Sequence, residues 1–378
     1  MTKKCIFFVS DNIGETHIIF PIIYELINKK DFDIKIIFTN EIVYNQFKKI
    51  YYEDLDLNIK SKIFKLKFFF NETSYNKLQR ILGKFLNIIL NLFFLLKIFI
   101  NSNVFFIEGS FNTSFGIFLL KINNLIFKKN IIVYLQGLRP YIGVKNRTKF
   151  GGFKRNFKLF HLAYTDDSKE IDEINEAGFD KAIPIGFPLK SNYFDDLKKK
   201  FTLPNKKNIL FLPRAIGDIH LKEEEAKNYL LVIKKIMHKK FPNHKLVVHL
   251  HIKERTDFFK NFIKENNFEN TLITDGNILK EMVNADFVIC NLTSAIYLAY
   301  ALNIPATEFY TRTEDIIKWY PELNGMTVYN FVGFQSLTTF KSFENYIDHL
   351  DLERFKYDLN INLNSLNILK LIDAILEK

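Results

Sequence analysis

The stretch "KLVVHLHIKERTD" (245–257) carries an apolar run, Val247, Val248 and Leu250, that ends among His249, His251, Lys253, Glu254 and Arg255. Other apolar runs in the same half of the chain also end in polar groups. "NILFLPR" ends in Arg214, "TLITDG" in Asp275 and Gly276, and "DFVICNLTSA" in Thr293, Ser294 and Ala295. Guanidinium, imidazole and ammonium groups beside hydroxyls at a helix start are the groups that hold a phosphate or diphosphate. Each also has a structural alternative. Thr293 and Ser294 suit a helix cap, Glu254 suits an ion pair with Arg255, Lys253 a solvated strand end, and His249 a satisfied interior position.

The first half has its own polar groups at the ends of apolar runs. "SDNIGETHIIFPIIYEL" (10–26) sets Asp11, Gly14, Glu15 and His17 at the opening of a helix, and "NVFFIE" ends in Glu108. Glu15 also suits a first-turn complement to the helix dipole, and His17 a helix-start residue facing water. The stretch 136–158 carries Arg139, Lys145, Arg147, Lys149, Lys154, Arg155 and Lys158 and no acid. It is too long and Gly-rich for one regular element and reads as a loop, either solvated or contacting an anionic partner.

These groups need a scaffold that brings them together. Apolar runs such as "CIFFVS", "DIKIIFTN", "NVFFIEGS", "NIIVYLQG" and "LFHLAYT" alternate with helical segments, and the pattern restarts at "NILFLPR". That alternation predicts parallel sheets with helices on both faces. The expected fold class is α/β, with two tandem Rossmann-like doubly wound domains facing a cleft. Residues 1–186 form the first domain and 204–340 the second, with C-terminal helices over 341–378 that pack back on the first. "AIPIGFP" (182–188) reads as a connecting segment.

Composition narrows the partners. Hydrophobic residues at 48% and charged residues at 25% are those of a folded globular protein. Residues 60–158 carry 18 Lys and Arg against only Glu72 and Glu108. So basic a stretch suits anionic lipid, a phosphorylated substrate or nucleic acid. "RILGKFLNIILNLFFLLKIFI" (80–100) approaches the length of a membrane span. Its Arg80, Lys84, Asn87 and Asn91 follow helical spacing, which predicts an amphipathic helix for core packing or a membrane surface. Two cysteines, Cys5 and Cys290, give no disulfide framework, and the apolar N-terminal run is too short for a signal peptide. The expected location is cytoplasmic, with contact to the inner face of the membrane.

"HLHIKE", "DGNILKEMVNADFVICNLTSAIYLAYALNIPATEFY" and the tandem layout resemble the GT-B-fold glycosyltransferases of bacterial surface polysaccharides, the sialyltransferase-like and capsule group. In that group a His-Pro motif contacts the donor phosphate and a Ser-Ser or Ser-Thr pair completes the pocket. The resemblance carries over to His251, with Ile252 in the place of the proline, and to Thr293 and Ser294. "SDNIGETHIIFPIIYEL" is similar to the glycine-containing loop and histidine helix start of many such transferases. It implies His17 or Asp11 as catalytic base, with Glu15 and Glu108 behind. The implied reaction is metal-independent transfer of a sugar from a nucleotide-sugar to a glycan or lipid-linked glycan in capsule or lipopolysaccharide synthesis. No cofactor is expected. "DFD" (31–33) and "DLD" (54–56) do not follow strands as a metal-binding Asp-x-Asp triplet would. The alternatives are a nucleotide-sugar 2-epimerase or hydrolase, a polyol-phosphate transferase, and a non-catalytic sugar-nucleotide or nucleic-acid binder, nucleic acid being the least favoured partner.

Overall fold

The computed structural model describes every residue except 1, 10–12, 28, 30, 53–59, 67–85, 87–88, 90, 92, 109–119, 136–155, 205–206, 218–220, 253, 255, 320–322, 324–325, 362 and 377–378. The side chains at 13, 15, 313, 319, 328 and 331 also lie outside the described set. The chain divides into two compact units, residues 1–191 with 363–378, and residues 192–362.

The first unit runs β1 (Lys3–Val9), α1 (Ile13–Ile27), β2 (Phe32–Phe38), α2 (Glu41–Tyr51), β3 (Ile63–Lys65), β4 (Val104–Glu108), β5 (Asn130–Tyr134), β6 (Leu159–Ala163), α3 (Ser168–Glu176) and β7 (Lys181–Pro184). Its seven strands pair in the order β3-β2-β1-β4-β5-β6-β7, all parallel. Strands covered on both faces read as unbroken apolar runs. Thus Cys5 to Val9 are all buried, and Phe7 stacks on Phe106 of the neighbouring strand at 4.1 Å between centroids. Helix α2 starts where Asn40 Oδ1 accepts from the Ile42 and Val43 amides at 2.9 and 3.3 Å.

The second unit runs α4 (Asn192–Phe201), β8 (Asn208–Leu212), α5 (Glu223–Lys240), β9 (Lys245–His249), α6 (Phe258–Glu265), β10 (Thr271–Thr274), α7 (Ile278–Val283), β11 (Phe287–Cys290), α8 (Ile296–Ala301), β12 (Ala306–Phe309), α9 (Thr313–Trp319), α10 (Val328–Val332), β13 (Ser336–Leu337) and α11 (Phe340–His349). The strand order is β10-β9-β8-β11-β12-β13, again all parallel. Phe309 and Phe343 stack at 4.1 Å and anchor α11 on the sheet. After α11 the chain returns to the first unit and ends in α12 (Ile368–Leu376), which buries Leu371, Ala374 and Ile375. The stretch 341–378 is therefore shared between the units.

Two sequence expectations change. The supposed connector 182–188 contributes a strand, because Ala182 and Ile183 pair with His161 and Leu162 at the edge of the first sheet. The 80–100 segment is helical at 86, 89, 91 and 93–100; of its predicted polar stripe, Arg80, Lys84 and Asn87 lie outside the described residues, and Asn91 does not face water. Asn91 is buried, while Phe93 and Ile100 are exposed. Among the described residues no helix is long and apolar enough to cross a membrane.

Candidate functional site

In both sheets the order has the same form, with a middle strand from which the chain first builds one way and then the other. Ligands of doubly wound folds collect beyond the carboxyl ends of the strands at that reversal. In the second unit the reversal falls between β8 and β11, where Arg214 and the 291–295 loop emerge. Arg214 Nη1 donates to the Leu292 carbonyl at 3.4 Å, so the guanidinium spans the two strand ends. Leu292 itself has φ of 47°, a left-handed conformation that is uncommon for a leucine and is held by its surroundings. Thr293 Oγ1 accepts from the Ala295 amide at 3.4 Å. Helix α8 begins at Ile296 and has six residues, shorter than the sequence pattern implies. Its dipole is correspondingly small, so charge at this edge comes chiefly from side chains.

The other predicted donor-side residues follow outward along the same carboxyl edge. His251 and Glu254 lie just past β9, next to β8, and both are half-buried. Glu254 acts as a strap. One oxygen accepts from the Ile216 amide at 2.8 Å, and the other from the Thr256 amide and hydroxyl at 2.7 and 2.6 Å. The carboxylate thus fixes the loop behind Arg214 rather than offering itself to a ligand. Lys253 lies outside the described residues.

Asp275 and Gly276 follow β10, the outer strand. At the usual strand spacing this is roughly 14 Å from β11, too far to share one phosphate with Ser294. Gly276 is instead explained by packing. Its amide donates to Thr274 Oγ1 at 2.9 Å, and a Cβ there would sit 2.6 Å from the Glu281 carboxylate. That carboxylate accepts from Thr274 Oγ1 at 2.8 Å and pairs with His249 Nδ1 at 2.6 Å. His249 is therefore a satisfied interior histidine.

Sequence reasoning missed the groups beyond β12. Tyr310 has a buried hydroxyl that meets no hydrogen-bond partner among the described residues. Arg312 is held between Glu225 at 3.3 Å and Asp315 at 2.7 Å, and Thr311 is tied to Tyr229. The signal was present: "ATEFYTRTED" ends an apolar run in polar groups just as the other strands do. Glu308, inside β12, had no such signal. It is fully buried, accepts from Thr327 Oγ1 at 2.5 Å and Ser336 Oγ at 2.6 Å through Oε2, and burial pushes its carboxyl up to about 7.

In the first unit the reversal falls between β1 and β4, and Glu108 is the last residue of β4, buried beside the end of β1. His17 differs from expectation. It lies in the second turn of α1 rather than at a water-facing helix start, only 7% exposed, with Nδ1 against the Tyr51 hydroxyl at 2.5 Å. Burial lowers its pKa to about 3, which leaves a neutral ring but a weak proton acceptor. The Asp11 position and the Glu15 side chain lie outside the described residues. So do Arg139, Lys145, Arg147, Lys149, Lys154 and Arg155. Among the described residues no three His, Cys, Asp or Glu side chains converge as a metal site would require.

No family model and no curated protein matches the chain. Solved structures do. The UDP-GlcNAc 2-epimerase of Methanocaldococcus jannaschii in complex with UDP-GlcNAc and UDP matches with a TM-score of 0.58 at 16% identity, over 100% of this chain and 99% of that one. The fold is GT-B. The Neisseria meningitidis UDP-GlcNAc 2-epimerase bound to UDP-GlcNAc gives 0.57 at 17% identity over 100% and 99%. The S. aureus MnaA–UDP co-structure gives 0.57 at 13% over 99% and 96%. At such identities the likeness is one of fold.

Proposed function

We propose that the protein is an enzyme acting on a nucleotide-sugar, whose phosphate is held at the carboxyl edge of the second sheet by Arg214, His251, Thr293 and Ser294. The observation that carries this is the guanidinium of Arg214 bridging the ends of β8 and β11 where strand order reverses. End-to-end likeness to proteins solved with UDP or UDP-GlcNAc supports a UDP-sugar as the first ligand to test.

For the chemistry, that same likeness favours a 2-epimerase or hydrolase. Inverting a carbon requires a proton removed from one face and returned to the other, so acid–base groups must flank the sugar. Glu108, buried as the last residue of β4 where the strand order of the first sheet reverses, is the carboxylate we assign to such a role. A specific observation keeps glycosyl transfer as the second reading. The basic stretch 60–158 suits a phosphorylated or lipid-linked glycan acceptor of the kind used in capsule or lipopolysaccharide synthesis. In that case Arg214 and His251 would neutralise the departing phosphate in place of a metal.

A thermal-shift screen with UDP, UDP-GlcNAc and GDP-, CMP- and CDP-sugars tests the binding step. One nucleotude class should raise the melting temperature, and His251→Ala should remove most of that shift. Equal shifts in both proteins would sink the assignment. Proton NMR of the sugar in deuterated water then separates the chemistries. Deuterium entering the sugar ring without acceptor marks an epimerase, whereas turnover that waits for an acceptor marks a transferase.

A further inference from the structure

The described helical residues 86, 89, 91 and 93–101 are apolar on two sides. Leu95, Ile98 and Phe99 face inward and are buried, and Phe64 meets Phe94 at 5.6 Å. The opposite side exposes Leu86, Ile89, Phe93 and Ile100, with Phe93 84% and Ile100 63% accessible. With Lys97, these follow spacings of 3, 4, 4 and 3, which is one helix face. Beside it, a π-helical turn (Asn123–Phe127) stacks Phe127 on Phe99 at 4.9 Å. In that same turn Leu125 and Ile126 are 75% and 63% accessible. A helix apolar all round is normally buried, so this outer face calls for an apolar medium or a partner. Scattered exposed apolar residues need no explanation, but a contiguous set does.

Charge identifies the occupant. Lys97 lies on the exposed helix face, Lys121 and Lys128 are exposed in the stretch that flanks Leu125 and Ile126, and Lys129 is half-buried. Among the described residues of 86–130 the single carboxylate is Glu108, buried at the end of β4. Exposed apolar side chains that can enter the acyl boundary, in a stretch whose exposed charges among the described residues are all ammonium groups, complement an anionic bilayer surface.

We propose that this face of the first unit docks on anionic membrane, with Phe93, Ile100, Leu125 and Ile126 inserted and the lysines at the headgroups. It does so independently of the nucleotide edge, which lies in the second unit. Such docking would hold the enzyme where a lipid-linked substrate is found.

The test is co-sedimentation of the full-length protein with vesicles of phosphatidylcholine alone or with phosphatidylglycerol, at low and high salt. Binding should require the anionic lipid and weaken with salt. Phe93→Ser with Ile100→Ser should lower it about tenfold while leaving the circular dichroism and the nucleotide thermal shift unchanged. Lys121→Glu with Lys128→Glu should lower it without touching the apolar face. No preference for anionic vesicles, or binding indifferent to both pairs of substitutions, would overturn the proposal. So would light scattering that shows a dimer broken by Phe93→Ser and Ile100→Ser with no vesicle binding, since the face would then be covered by a second copy of the chain.

Discussion

Glu308 is held neutral by its surroundings, and that sets a pH dependence. Its Oε1 meets no hydrogen-bond partner among the described residues, and only two hydroxyls donate to Oε2, too little to offset the burial of a charge. In the unfolded chain the carboxyl ionises near its ordinary 4.5, but in the fold it ionises near 7. Below 4.5 both states are protonated and the contribution to stability is intact. As pH rises from 4.5 to 7 the unfolded chain loses the proton first, so stability falls by on the order of 3 kcal/mol and then levels off. Glu308→Gln should therefore match the wild type in melting temperature near pH 4 and exceed it progressively up to pH 8. Melting curves across that range check this, and a constant difference at all pH values would refute it. His17 and His161 act in the opposite sense. Burial lowers them to about 3 and about 4, so their contribution is whole above 6.5 and is lost as pH falls. The variant-minus-wild-type difference isolates Glu308 from both.

At the scale of elements, the first sheet is completed by the chain's return. Beyond β7, Phe187 donates its amide to the Asn364 carbonyl at 2.9 Å, Asn367 to Ile185 at 2.6 Å and Leu366 to Lys190 at 2.9 Å. Gly186 makes the close approach possible. Its φ is 77°, and a Cβ there would collide with the Ser365 carbonyl. Gly186→Ala should cost on the order of 2 kcal/mol or more and release the 363–376 segment to protease. Gly178, with φ of 90° but open space around it, is the control, and its alanine variant should cost only about 1 kcal/mol. Equal losses in the two variants would show that backbone strain alone matters. The sequence made the long apolar strands legible, because strands buried on both faces leave uninterrupted runs such as Cys5–Val9. It did not reveal β3, β7, β12 or β13, which have two to four residues each and owe their state to pairing. The strand-end groups Arg214, His251 and Ser294 were legible, since polar residues that stop an apolar run stand out. The role of Glu254 as a strap was not, because its partners Ile216 and Thr256 are set by how two loops meet.

For the whole molecule, two Rossmann-like units give two reversal edges, one bearing Glu108 and the other Arg214. The second unit is a single continuous stretch, residues 192–362, while the first is assembled from both ends of the chain. A fragment spanning 192–362 should accordingly melt cooperatively on its own. A fragment of 1–191 should not, because it lacks Leu371, Ala374 and Ile375, which α12 buries. Cooperative melting of 1–191 alone would show the returning segment to be dispensable. During synthesis the order of completion would then run against the order of translation. The part made first must wait, unfinished and with apolar surface uncovered, until α12 leaves the ribosome, and that interval is when chaperones would be most needed.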